Sequence, residues 1–269
     1  MRSGWIYNRK RVLRICIVVL LLGSAAWLAR RALHRQYQRD MGLCLSAIGR
    51  ALSSTRYLES PRAHSLLSGF AQLDRYQALN QSLPPTTTDR VIFYGDSITD
   101  IWPTAYATHF FPGKPYIGRG MTGQSTDAML WRFQQDVIDL HPAAVVILGG
   151  SNDVVLADRH ITFQQTTTNI QAMAELAEQH HIRVILCSLP PVSHYPQPQQ
   201  AIFSEEIRTI NHWLQAYAAS QNLPYVDYYS AMADGTGAMK NALTVDGLHP
   251  NAAGYDVMRP LVQQAIDSH

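Results

Sequence analysis

Two short runs, far apart in the chain, carry residue types that can do chemistry together. The first is Gly95-Asp96-Ser97-Ile98-Thr99 and the second Asp246-Gly247-Leu248-His249-Pro250. A serine hydroxyl is a weak nucleophile until a base takes its proton. An aspartate three residues before a histidine, on one loop, can fix the imidazole tautomer while the other ring nitrogen faces that hydroxyl. Ser97, His249 and Asp246 are therefore read as nucleophile, base and orienting carboxylate for attack on an acyl carbon. The oxyanion so formed needs hydrogen-bond donors. The backbone at Ser97, where a strand hands over to a helix, offers N–H groups at the positive end of a helix dipole. Gly120, in GRGMTGQST, offers a backbone N–H, and Asn152, in GGSND, a side-chain amide. Each run alone is ordinary turn chemistry; it is the set that describes an acyl-transfer site.

These residues must be placed by the elements before them. Val91–Tyr94 is a short apolar run that predicts a buried strand ending at Gly95. Pro115–Ile117 is a weaker strand candidate before Gly120. Ala143–Leu148 (AAVVIL) is continuously apolar, as a strand covered on both faces should be. Arg183–Cys187 and Tyr225–Tyr228 complete a set of five. Helical spacing fills the gaps: Thr126–Leu140, Phe163–His180, Phe203–Gln221 and Ala252–Ile266. The alternation predicts an α/β fold with a parallel sheet covered by helices on both faces. Sites in such sheets lie at the carboxyl ends of the strands, where Ser97, Gly120 and Asn152 fall. His194 to Gln200 (HYPQPQQ) forms a proline-bearing loop near the same edge. Of the 11 histidines, His249 alone has a carboxylate at telling spacing.

The 269 residues are 46% hydrophobic and only 16% charged, which suits a globular core. The net charge of +2 hides an asymmetry. All the basic residues before Asp40 are unopposed by acid, so the body beyond it is acidic, which argues against a nucleic-acid partner. The basic N-terminus flanks an uncharged run, Ile15–Ala29. Two readings stay open for residues 1–30: an uncleaved membrane anchor, which the continuation of the run to Ala29 favours, or a signal peptide cleaved near Ser24-Ala25-Ala26. Either reading puts the remainder outside the cytoplasm, membrane-anchored or secreted. Residues 31–68 read as a helical stalk or linker and 69–269 as the catalytic domain. Cys44 and Cys187 show no metal-type spacing; Cys187 reads as a small buried thiol. No metal or cofactor is called for. The run Gly118-Arg119-Gly120-Met121-Thr122-Gly123 spells GxGxxG. It follows the second strand of the domain, and no acidic residue stands at a strand end about 20 positions on, so a dinucleotide site is not supported.

GDSIT, Gly120, Asn152 and DGLHP, in that order, resemble the blocks of the SGNH/GDSL hydrolases. The resemblance extends from about Gly69 to the C-terminus. It implies a flavodoxin-like three-layer α/β/α sandwich with a five-stranded parallel sheet. It implies Ser97 as nucleophile, Asp246 and His249 as the rest of a triad, and Ser97, Gly120 and Asn152 as oxyanion donors. Members are esterases, lipases, lysophospholipases and carbohydrate deacetylases, so the substrate implied is a small, glycan-borne or lipid-borne acyl ester. Related bacterial chains often carry Asn at the position of Gly118, which leaves the pocket beside Arg119 open; Arg119 is the candidate substrate-binding residue. A membrane-tethered binding module that keeps the fold without turnover is the alternative.

Overall fold

A computed structural model describes residues 71–84, 89–156 and 161–268. The expected anchor or signal segment, the stalk, Cys16 and Cys44 lie outside the described residues. In chain order the elements are α1 (Gln77–Gln81), β1 (Val91–Gly95), α2 (Ser97–Ala105), β2 (Tyr116–Gly120), α3 (Thr126–Asp136), β3 (Ala144–Leu148), α4 (Ser151–Val155), α5 (Phe163–Gln179), β4 (Arg183–Cys187), α6 (Gln199–Gln221), β5 (Tyr225–Val226), α7 (Tyr228–Met232) and α8 (Ala252–Asp267). The strands form one five-stranded sheet in the order β2-β1-β3-β4-β5, every pair parallel. That order is the flavodoxin-like doubly wound arrangement.

Alternate strand residues face opposite sides of the sheet, and the core divides accordingly. Ile92, Tyr94, Val145, Ile147, Val184 and Leu186 pack against α3, α5 and α6. Val91, Phe93, Val146, Leu148, Ile185 and Cys187 pack against α2, α7 and α8. Removing each such aliphatic side chain from water stabilises the fold by about 1.5–3 kcal/mol. The register sets Gly95 beside Gly120 on one side and Leu148 on the other. The loops that carry Ser97, Gly120 and Asn152 therefore leave the sheet at one level.

Several boundaries differ from the sequence reading. The last strand stops at Val226, because the Asp227 side chain accepts the Ser230 N–H at 2.9 Å and caps α7. Helix α3 ends at Asp136; a 3-10 turn over Ile138–Leu140 then keeps Val137, Ile138 and Leu140 in the core. Helix α6 starts at Gln199, directly after Pro198, a residue whose fixed φ suits a helix entrance. Strand β2 runs through Gly118-Arg119-Gly120. Before the sheet begins, Gln77–Gln81 forms the short helix α1. Tyr76, just before it, is buried and its hydroxyl donates to the Gly120 carbonyl, which ties this stretch to the end of β2.

Candidate active site

The turn that presents Ser97 depends on glycine. A Cβ at Gly95 would lie 2.2 Å from the Leu148 carbonyl and 2.3 Å from the Thr99 hydroxyl, so no other residue lets β1 close so tightly on β3 and α2. Asp96 is the N-cap of α2: its Oδ1 accepts the Ile98 N–H at 3.0 Å. Its Oδ2 is buried without a hydrogen-bond partner. Burial pushes the Asp96 carboxyl up to about 7, against the lowering effects of the Ile98 N–H and nearby His249. Ser97, the first residue of α2, is 4% exposed.

The second run folds as a tight loop. Asp246 Oδ1 accepts the backbone N–H groups of Leu248 at 2.9 Å and His249 at 2.8 Å. Its Oδ2 lies 2.7 Å from His249 Nδ1. The opposite ring nitrogen, Nε2, lies 2.9 Å from Ser97 Oγ. Burial raises the Asp246 carboxyl, but the backbone N–H and ring of His249 and the Leu248 N–H outweigh it and hold the group below the usual carboxylate range. Gly247 has φ +92°, and a Cβ there would lie 2.3 Å from the Ser193 carbonyl. Ser193 N–H donates to the Gly247 carbonyl at 2.7 Å, and the Gly247 N–H donates to the Thr244 hydroxyl at 2.9 Å. The β4–α6 loop thus straps the Asp–His loop in place.

Asn152 follows Gly150, whose φ of +122° turns the chain out of β3 into α4. Its Nδ2 donates to the Gln124 carbonyl at 2.8 Å. A primary amide has two N–H bonds, so this one fixes the orientation of the group. Asp153 beside it accepts the N–H and hydroxyl of Thr126, at 2.9 and 2.5 Å, and the Thr166 hydroxyl at 2.8 Å. Gly120, at the end of β2, packs directly under the first turn of α2: a Cβ there would lie 2.1 Å from the Asp100 nitrogen. Ser97, His249 and Asp246 are thus hydrogen-bonded in series, with Gly120 and Asn152 on the neighbouring strand ends.

The sequence pattern of the GDSL-like lipase/acylhydrolase family matches residues 93–257. The chain belongs to that family. Among solved structures, a GDSL-like lipase from Bacteroides thetaiotaomicron is 38% identical with a TM-score of 0.69, the match covering 74% of this chain and 98% of that one. A lipase/acylhydrolase from Enterococcus faecalis is 28% identical with a TM-score of 0.54, over 66% of this chain and 95% of that one. An acetylxylan esterase from Geobacillus stearothermophilus is 18% identical with a TM-score of 0.55, covers 70% of this chain and 98% of that one, and shares the fold alone. None of the curated proteins matches the chain. As a GDSL-like acylhydrolase the chain is a hydrolase of ester bonds.

In this acylhydrolase the candidate substrate residue Arg119 sits in the interior, not in an open pocket. It is 4% exposed, its guanidinium lies 4.7 Å from the Tyr76 ring centroid, and its Nε donates to Asn80 Oδ1 at 2.8 Å. Tyr76 and Asn80 thus hold the guanidinium inside the fold. The first glycine of GxGxxG has steric work instead: a Cβ at Gly118 would lie 2.5 Å from the Pro103 ring, so the small residue lets α2 settle on β2. Cys187 is buried, and burial pushes its thiol up to about 12. His109 and His194, without sequence-near partners, find distant ones in Asp256 and Asn241, each at 2.9 Å.

Sequence reasoning missed Arg132. It is fully buried on α3 between Met129 and Phe133, residues of the apolar stripe. The available signal was an arginine on the inward side of a helix with Asp136 one turn later; the pair is 3.2 Å apart. Gln124 and Asp153 were missed too, because side-chain partners such as Arg132, Thr126 and Thr166 lie on other elements.

Proposed function

We propose that the chain is a serine esterase that hydrolyses small, carbohydrate-linked or lipid-linked acyl esters. The observation that carries this reading is the continuous series Ser97 Oγ, His249 Nε2, His249 Nδ1 and Asp246 Oδ2, with separations of 2.9 and 2.7 Å. His249 takes the Ser97 proton as Oγ bonds to the acyl carbon. The carbonyl electron pair moves to oxygen, where the Ser97 N–H and the second Asn152 N–H receive it; the Gly120 N–H, expected to join them, faces away from β1, because the Met121 N–H donates to the Gly95 carbonyl and so turns the neighbouring residue outward. Collapse expels the alcohol, which takes the proton from His249. Water then attacks the acyl-serine, with His249 again as base, and releases the acid. Asp246 holds the imidazole orientation and stabilises its charged form.

The decisive experiment is labelling by an organophosphonate together with the Ser97→Ala variant. Loss of a nucleophile of this kind costs on the order of 10⁴- to 10⁶-fold in turnover. Wild-type labelling at Ser97 and a folded, inactive variant are expected. Near-normal hydrolysis by Ser97→Ala overturns the assignment, and an unlabelled, inactive wild-type chain returns it to a binding module. The basic, apolar N-terminal segment is proposed to hold the enzyme at a membrane with its catalytic domain outside the cytoplasm, or to be removed as a signal. Fractionation with N-terminal sequencing separates these; intact chain in the cytoplasmic soluble fraction refutes both. A panel of p-nitrophenyl esters and acetylated sugars would define acyl length and alcohol.

A further inference from the structure

The Asn152 amide is aimed by a backbone carbonyl, that of Gln124, at 2.8 Å. A carbonyl is only as fixed as the loop that carries it. Gln124 lies in the loop between β2 and α3 and is 2% exposed. Both polar ends of its side chain are bonded. Its Nε2 donates to the Ala71 carbonyl at 3.0 Å, and its Oε1 accepts the Arg132 Nε–H at 2.6 Å. Arg132 is itself buried on α3, where its Nη2 donates to the Gly95 carbonyl at 2.8 Å. The side chain thus clamps Gln124 between α3 and the stretch that precedes the sheet. The loop is pinned nearer β2 as well. Asp100 of α2 accepts the Thr122 N–H at 3.1 Å and the Thr122 hydroxyl at 2.7 Å, and the Arg75 guanidinium holds both Asp100 oxygens, at 2.6 and 2.8 Å.

Two residues further on, the chain grips the neighbour of Asn152. Thr126 donates its N–H and its hydroxyl to the Asp153 carboxylate. Residues 124 and 126 therefore clasp residues 152 and 153, the first through a carbonyl and the second through a pair of donors. A shift of about 1 Å at a reacting group can cost about 10²-fold in rate, so the place of the Gln124 carbonyl has a kinetic consequence. We propose that Gln124 is a positioning residue for Asn152: its side chain clamps the loop whose carbonyl sets the direction of the Asn152 amide. This rests on the serine-esterase reading above, in which the second Asn152 N–H meets the developing oxyanion. The clamp reaches back to Ala71, so the stretch before the sheet serves the reaction without supplying a group to it. The benefit falls on the transition state, where the charge on the oxygen develops.

The test is a double-mutant cycle between Gln124→Met and Asn152→Ala in the full chain. Methionine is unbranched and uncharged, and it makes neither of the two glutamine bonds. Folded Gln124→Met should turn over about 10- to 10²-fold more slowly, part of the cost of a lost oxyanion donor, with KM within about twofold. A boronate that forms a tetrahedral adduct at Ser97 should bind more weakly by a similar factor. In the Asn152→Ala background the same change should cost less than about twofold, because the amide it serves is gone. A general loss of structure would lower both backgrounds alike. Gln135→Met is the control. The Gln135 side chain donates to the Leu73 carbonyl of the same preceding stretch at 2.6 Å, and to Asp136 rather than to the loop, so its kcat should match wild type. If Gln124→Met does not fold, Gln124→Glu takes its place with the same coupling expected; it still accepts from Arg132 but no longer donates to Ala71. A kcat for the Gln124 variant within about threefold of wild type, or a loss confined to KM, overturns the proposal. So does an undiminished loss in the Asn152→Ala background, or an equal loss in Gln135→Met. If Ser97→Ala stays active, the underlying reading has failed. If Ser97→Ala and Asn152→Ala are both crippled and the cycle shows no coupling, only the role of Gln124 has failed.

Discussion

The Tyr255 hydroxyl donates a 2.8 Å hydrogen bond to the Ile98 carbonyl. Tyr255 stands in the first turns of α8, shortly after His249, and Ile98 adjoins Ser97. The same ring stacks on Trp102 of α2, with centroids 4.9 Å apart. The bond therefore ties together the two elements whose spacing sets the distance from His249 to Ser97. Tyr255→Phe keeps the stacked ring and removes only the tie. We expect a stability loss of about 1 kcal/mol in urea unfolding, with kcat reduced and KM held, because the base is less firmly placed. An unchanged unfolding midpoint would show that the tie contributes nothing.

Asn152→Ala should lower kcat by about 10²–10³-fold while KM changes little, since an oxyanion donor acts mainly on the transition state. Steady-state kinetics on a soluble ester decides this. A variant altered in KM alone would make Asn152 a substrate-binding residue.

The glycines are not equivalent. Gly120→Ala drives a methyl group against the Asp100 backbone, 2.1 Å from its nitrogen, whereas Gly235 has nothing within 4 Å of a Cβ. Gly120→Ala must displace α2 and with it Ser97, at a cost of about 1–3 kcal/mol or more, and activity should be lost even in the folded fraction. Gly235→Ala should match wild type in both melting temperature and kcat. Equal behaviour of the two variants would contradict the close approach of α2 to β2.

Asp96 gives stability a pH dependence of unusual sign. Its carboxyl is raised in the folded state to about 7, above the unfolded value of 3.8. Between those values the unfolded chain has released the proton that the folded chain still holds. Stability from this group is therefore full below the lower value and is lost as pH rises through about 7. Asp96→Asn removes the titration but keeps the capping oxygen. The melting temperature of the variant, relative to wild type, should rise between about pH 5 and about pH 8. A difference that stays flat across that range would mean that Asp96 does not titrate there. Asp246 acts in the opposite sense: held below its ordinary range, it lends stability that disappears only as pH falls through its lowered value.

Much of this architecture was legible in the sequence because local signals and tertiary demands agree. Val91–Tyr94 and AAVVIL are apolar on both faces and became central strands covered on both sides. Asp246 and His249 lie close in sequence, so a single loop could announce their bond. The misreadings arose where a distant neighbour decides the outcome. Gly118 and Gly120 look like turn residues until α2 is laid on them, and then they are strand residues. Arg119 looks like a surface cation until Tyr76 and Asn80 enclose it. Arg132 reads as one charge on a helix, and its four acceptors at Gly95, Arg119, Gln124 and Asp136 come from three other places in the chain and one in its own helix.

The Asp246–His249 loop, closed by its own N–H bonds and strapped to Ser193, carries carboxylate and imidazole as one rigid body. A displacement of that body leaves their 2.7 Å separation intact and changes only the 2.9 Å gap to Ser97. Thermal motion here acts like an intermittent contact. On the serine-esterase reading, the bond to Asp246 keeps one tautomer of His249 while the gap to Ser97 opens or closes. If Ser97 and His249 act as proposed, turnover would scale with the fraction of time the gap is closed, and the apparent activation enthalpy would include the enthalpy of seating the loop.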